Sequence, residues 1–241
     1  MDDESRPDDR GYEGAGPDAL GSGSHGCACG TGRDQAFEYH ARTVRLETNG
    51  ELIDPEGDTG VLDAPLPADV RRALGRFLDG STVRTLRDWV SAVRDRTGGA
   101  GIDMEDLCHE QAETPHWGEL DGDRYHFTCF FDAVVLAALA EAPVDVRTES
   151  PDGTVIEATV AGDGDLTVDP PGTLMSFGAL TVPSVIPDGE PTREDVYAAV
   201  CPVVKAFPSP GAYERWSTSV PAATIAIPLA DATAVAAAIA D

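Results

Sequence analysis

The sequence predicts an α+β protein, with a helical, winged-helix-like N-terminal part followed by a mixed or antiparallel sheet with packed helices. Three observations carry this. Segments with apolar residues every three or four positions cluster before residue 113. Short stretches of alternating apolar and polar residues, divided by turn residues, come after them. Further helical stretches are interleaved with those strands, an order that fits a mixed sheet with helices packed on it. The chain therefore divides into an acidic, Gly-rich tail over 1–35, a helical N-terminal domain over 36–113 and a larger domain over 114–241.

The tail has almost no aliphatic residues and is expected to be disordered. EYHARTVRLETNG alternates weakly and predicts a strand, closed by an Asn49-Gly50 turn. PLPADVRRALGRFLDG carries Val70, Leu74 and Phe77 at helical spacing and stops at Gly80. STVRTLRDWVSAVRDRTGG sets Val83, Leu86, Trp89, Val90 and Val93 on one stripe, with Ser81 or Thr82 as its cap. IDMEDLCHEQ predicts a third, shorter helix, which completes a helix-turn-helix-like group.

GDRYHFT predicts a strand that runs into a helix from Cys129 to about Glu141. VDVRTES and TVIEATV flank Pro151-Asp152-Gly153 and predict a hairpin, with DLTVD as a third strand. TREDVYAAV is a helix capped by Thr192, AYERWSTS another, ATIAIP a strand and DATAVAAAIA a closing helix.

The 241 residues hold 43 acidic and 17 basic side chains, for a net charge of −26. Lys205 is the sole lysine, and the acids are spread along the whole chain. Such a surface fits a high-salt cytosol, where the Debye length falls to about 3 Å and self-repulsion is screened. No basic patch exists to neutralise phosphates, so nucleic acid is excluded as a partner, and anionic membranes equally. The apolar run at 133–140 is too short to span a bilayer, and MDDESRPDDR is no signal peptide. The chain is expected to be cytoplasmic. Five cysteines in a reducing compartment point to thiol or metal chemistry more than to disulfides.

Cys129 and Asp132 stand out in YHFTCFFDAVVLAAL. Free N–H groups at a helix start stabilise a thiolate, and residues three apart share a helix face. Burial beside a thiolate favours a protonated Asp132, whereas the helix dipole favours the carboxylate. Taken alone, the pair also fits a small buried cysteine with a capping aspartate. Cys201 precedes Pro202, which disfavours helix continuation at a bend, but it too reads alone as an ordinary buried cysteine. Cys27 and Cys29 form a CxC that could chelate one soft metal ion. Cys108-His109, His116 and His126 show no zinc spacing and read as ordinary helix and strand residues.

YHFTCFFDAVVLAALAEAPVDVRTESPDGTV, followed by EDVYAAVCPVVKAFPSPGAYERW, resembles the alkylmercury (organomercurial) lyases over roughly residues 115–230. The resemblance implies an α+β catalytic domain over 114–241. It implies that Cys129 and Asp132 are the family's Cys-x-x-Asp and Cys201 its second essential cysteine. Phe207, Ser209 and Trp216 support that register. A structural cysteine that the family often has in the hairpin is Ser150 here, and the acidic CxC tail lies outside the family core.

The implied activity is protonolysis of the carbon–mercury bond of R–Hg⁺ to R–H and Hg(II), with two cysteines and one aspartate and no resident cofactor. Two thiolates suit so soft a metal, and a neighbouring carboxylic acid can protonate the carbon. Small-molecule thiols, the Cys27/Cys29 pair, a mercuric reductase or a thiol carrier would take the Hg(II). A non-catalytic mercury- or copper-binding or sensing protein on the same fold is the alternative. A pure chelator has no need of Asp132 beside its thiols, whereas protonolysis does. A Cys-His hydrolase with His116 or His126 as base is a third reading, without a recognisable oxyanion element.

Overall fold

The computed structural model describes residues 51–52, 60–78, 83–96, 102–185, 189 and 191–241. The chain runs β1 (Glu51–Leu52), α1 (Ala68–Gly75), α2 (Leu86–Arg96), a 3-10 turn at Met104–Asp106, β2 (His109–Glu110), β3 (Trp117–Leu120), β4 (Asp123–Phe127) and α3 (Phe131–Ala140). It continues through β5 (Val144–Glu149), β6 (Val155–Val160), β7 (Leu166–Asp169), β8 (Leu174–Leu180) and α4 (Arg193–Val200). A 3-10 turn at Cys201–Val203, β9 (Ala206–Phe207), α5 (Pro210–Ser217), β10 (Ala222–Pro228) and α6 (Leu229–Ala240) complete it. The class is α+β.

Two sheets form. The six-stranded sheet, ordered β2-β4-β3-β5-β6-β7, is antiparallel throughout. The four-stranded sheet, ordered β1-β10-β8-β9, is mixed, because β1 runs parallel to β10. α3 packs on β3, β4 and β5, and α6 packs on α3, α2, β10 and β8. One apolar cluster links α1, α2, α3, α6 and both sheets.

Local patterns explain most elements. In β5 and β6, Val144, Val146, Ile156, Ala158 and Val160 alternate inward. α3 is apolar on nearly every side, as a helix enclosed by other elements must be. Thr192 and Asp195 form a capping box at α4. Gly118 lets β3 lie against α3: a Cβ there would meet Ala133 Cβ at 3.1 Å and Val144 Cγ1 at 3.0 Å.

Several expectations change. The predicted helix over 102–111 is a 3-10 turn and a strand, so the helix-turn-helix-like group lacks its third member among the described residues. Asp103 and Asp106 cap each other's backbone and close a single turn. Leu107 is then extended, and His109 and Glu110 pair with Phe127 and His126. α2 begins later than predicted, with Thr85 and Asp88 exchanging side-chain-to-backbone hydrogen bonds. α3 begins at Phe131, which leaves Cys129 in the bend before it. The predicted strand over 38–50, its turn and the caps Ser81 and Thr82 lie outside the described residues.

Candidate functional site

Strand β4 delivers its chain end to α3 through a bend, and Cys129 sits in that bend. Asp132 is the second residue of α3, in its first turn. The Cys129 thiol donates to Asp132 Oδ2 at 3.9 Å. The same oxygen accepts the backbone N–H of Cys108 at 3.3 Å. β2 makes this second contact possible: the Thr128 amide donates to the Cys108 carbonyl, which sets Cys108 alongside the bend.

Cys201 caps α4 and opens the following 3-10 turn, with its N–H on the Tyr197 carbonyl. That turn is fastened to β8 by Ser176. Its hydroxyl donates to the Val203 carbonyl at 2.6 Å and accepts the Lys205 amide at 3.0 Å. Further on, Ser209 caps α5 and Phe207 packs on Trp216 with centroids 5.1 Å apart. These three residues hold the segment that follows Cys201.

Two side chains report how the halves face each other. Burial pushes the Tyr197 phenol above the ordinary tyrosine range. Negative charge on Cys108, Asp132 and Cys201 pushes the same way, against Arg193. Burial pulls the Lys205 ammonium below the ordinary lysine range, and the neighbouring Cys129 and Cys201 sulfurs, when ionised, oppose this. Tyr197 thus lies near the carboxyl and one thiol of the predicted set, and Lys205 near both its thiols. His116 lies on the Lys205 side. Burial and then the Lys205 charge pull its imidazole down to about 4.

Cys108, Cys129 and Cys201 are reduced, with 3%, 4% and 9% of their surface exposed. A metal ion meeting these sulfurs leaves water behind, which strengthens every electrostatic contact there. Cys27 and Cys29 lie outside the described residues. The histidines serve other ends: His126 Nδ1 bonds the Thr114 backbone, and His116 Nδ1 lies 2.6 Å from Thr148 Oγ1. Ser150 is buried at the end of β5, where backbone bonds to Gly153 and Thr154 hold the hairpin turn.

Sequence reading missed Cys108, Tyr197 and Lys205 as neighbours of this cluster. Cys108 reaches Asp132 across 24 positions, a pairing that no local spacing announces. Tyr197 precedes Cys201 by one helical turn, and that spacing was the available signal. Two thiols that share a neighbourhood with a carboxyl can bind a soft metal ion and hand a proton to what it carries.

A family model described as alkylmercury lyase matches residues 110–241. An alkylmercury lyase of Streptomyces lividans is 29% identical over 140 residues, covering 58% of this chain and 57% of that protein. One of Pseudomonas putida is 30% identical over 156 residues, covering 63% and 66%. The chain thus spans less than two thirds of the length of these curated relatives. A solved structure of the mercury-bound form of MerB2 overlays with a TM-score of 0.42 at 17% identity, covering 72% of this chain and 91% of that one. The family match takes in more than half of the sequence, including the bend of Cys129, the first turn of α3 and the end of α4, and the chain belongs to the alkylmercury lyase family.

Proposed function

We propose that this protein is an organomercurial lyase that cleaves the carbon–mercury bond of R–Hg⁺ by protonolysis. The observation that carries the reading is the Cys129 thiol donating to the Asp132 side chain at 3.9 Å. In the first step the Cys129 sulfur bonds to mercury, and its proton passes to Asp132. The Cys201 sulfur then adds as a second ligand and its proton is released to solvent, so that two thiols and R–Hg⁺ give R–H, Hg(II) on two thiolates and one free proton. Two soft donors put electron density on the metal and make the bonded carbon more basic. Asp132 returns its proton to that carbon, which takes the electron pair of the C–Hg bond. R–H leaves, and Hg(II) remains on the two sulfurs.

The buried surroundings suit an alkyl or aryl group and keep water from competing for the proton. Small-molecule thiols of a reducing cytoplasm remove the Hg(II), and a mercuric reductase or thiol carrier is the fitting acceptor. The tail cysteines Cys27 and Cys29 are a second exit. Deleting residues 1–35 slows Hg(II) release if they are used, and an unchanged rate excludes them. Among the described residues no helix is long and apolar enough to cross a membrane.

The deciding experiment incubates the purified chain with phenylmercuric acetate and excess thiol in high salt and measures benzene. Benzene from wild type, and none from Cys129→Ser or Cys201→Ser, is the expected result. Stoichiometric Hg(II) binding without benzene would make the protein a thiol-based metal binder instead.

A further inference from the structure

The cysteines of the site are buried, and two depressions of the described surface lie away from them. One lies between α2 and α6 around Arg87, Arg94 and Asp241, and another on the six-stranded sheet around Trp117, Arg147 and Thr167. With Cys129 and Cys201 only 4% and 9% exposed, a substrate that is to meet both sulfurs needs part of the protein to move. The segment that touches both parts of the site is the one the sequence misread as a helix.

Residues 103–110 make a single 3-10 turn and a two-residue strand at the edge of the six-stranded sheet. They lie across the seam between the two halves of the site. At one end of the seam the Cys108 amide donates to Asp132 Oδ2. At the other, Asp106 pairs with Arg193 in the first turn of α4, the helix that ends at Cys201. The Arg193 guanidinium also lies 5.8 Å from the centre of the Tyr197 ring. One ion pair thus fastens this segment to the helix that carries the second thiol.

We propose that residues 103–110 are a strap over the thiol site, held shut by the Asp106–Arg193 ion pair. Asp106 and Arg193 are then positioning residues. Closed, the strap keeps the Cys108 N–H on Asp132 and excludes water; open, it admits the organomercurial. Both ion-pair side chains are about a third exposed, at 36% and 30%, so dissolved salt reaches and screens them. In a chain of net charge −26, ionic strength becomes the control on access. The strap rests on the proposed lyase reading only in naming Asp132 as the acid.

The test is alkylation of Cys129 by iodoacetamide in the full chain, followed by peptide mass spectrometry at low and at molar salt. Arg193→Gln and Asp106→Asn should each speed Cys129 labelling about three-fold at low salt, the scale of an exposed ion pair. The ratio to wild type should shrink toward one at molar salt. The charge-exchanged pair Asp106→Arg with Arg193→Asp should return labelling toward wild type. Thr85→Ala, which removes the Thr85 hydroxyl that accepts the Asp88 amide at the start of α2, away from the strap, controls for general loosening. Equal labelling in wild type and Arg193→Gln overturns the strap. So does acceleration matched by Thr85→Ala, or acceleration independent of salt. Labelling needs no carbon–mercury cleavage, so a chain that labels as expected but forms no benzene keeps the strap and loses the lyase reading.

Discussion

Oδ2 of Asp132 accepts two hydrogen bonds, one from the Cys129 thiol at 3.9 Å and one from the Cys108 amide at 3.3 Å. The thiol contact is long for a hydrogen bond, as catalytic contacts often are before substrate binds, and the amide contact fixes the oxygen in place. Asp132→Asn separates these roles, since an amide side chain still accepts the Cys108 N–H but cannot relay a proton. Benzene formation from phenylmercuric acetate should fall by about 10²- to 10⁴-fold, the range of a lost general acid. Hg(II) binding, followed by titration calorimetry, should remain at one ion per site. Normal turnover in Asp132→Asn would remove the carboxyl from the mechanism.

Cys201 has a different expected signature. Without it, Cys129 still bonds R–Hg⁺, but the metal lacks the second sulfur that makes the carbon basic. Cys201→Ser incubated with phenylmercuric acetate should therefore trap the intact phenylmercury group on Cys129. Intact-protein mass spectrometry would read this as a stable adduct that retains the phenyl mass. A bare Hg(II) adduct with released benzene would show that one thiol suffices.

The readable and unreadable parts of this chain divide along physical lines. Alternation exposed β5 and β6, because one face of each is buried and the other wet. β8, LMSFGAL, is buried almost end to end and has no alternation to read. The turn at Met104–Asp106 was misread because its acidic caps imitate a helix start, while pairing with β4 takes over from His109. At the site, Cys129 and Asp132 were legible as neighbours on one turn. The approach of Cys108, Tyr197 and Lys205 depends on β2 pairing and on Ser176 fastening the turn after Cys201. Both are long-range contacts.

His116 gives the fold a pH dependence. Its imidazole is held at about 4 against an ordinary 6.5, first by burial and then by Lys205. Between those values the unfolded chain binds a proton that the folded chain refuses, so stability rises with pH across the window. Above about 6.5 the effect is absent, and it accumulates as pH falls toward 4. The shift corresponds to a loss of up to about 3 kcal/mol. Urea unfolding of wild type and His116→Gln at stepped pH should show a shallower slope in the variant over this range. Parallel curves would mean that His116 is not the titrating group.

Gly118 ties the sheet to the chemistry. A Cβ at this position would stand 3.1 Å from Ala133 Cβ and 3.0 Å from Val144 Cγ1. Ala133 follows Asp132 in the first turn of α3, and the side chain it would strike cannot rotate away, since a methyl has no rotamer to change. Gly118→Ala must therefore shift β3 or lift the start of α3, at a cost of about 1–3 kcal/mol for overpacking. Lifting α3 moves Asp132 away from the Cys108 amide and the Cys129 thiol, so turnover should fall together with stability. Val144→Ala removes the atoms on the other side of the added methyl. The double variant Gly118→Ala/Val144→Ala should be more stable than the sum of its parts, with a coupling of about 0.5–3 kcal/mol. Its turnover should recover if displacement of α3 is the cause of the loss. Additive stabilities in the double-mutant cycle would show that Gly118 is not in contact with Val144 as described.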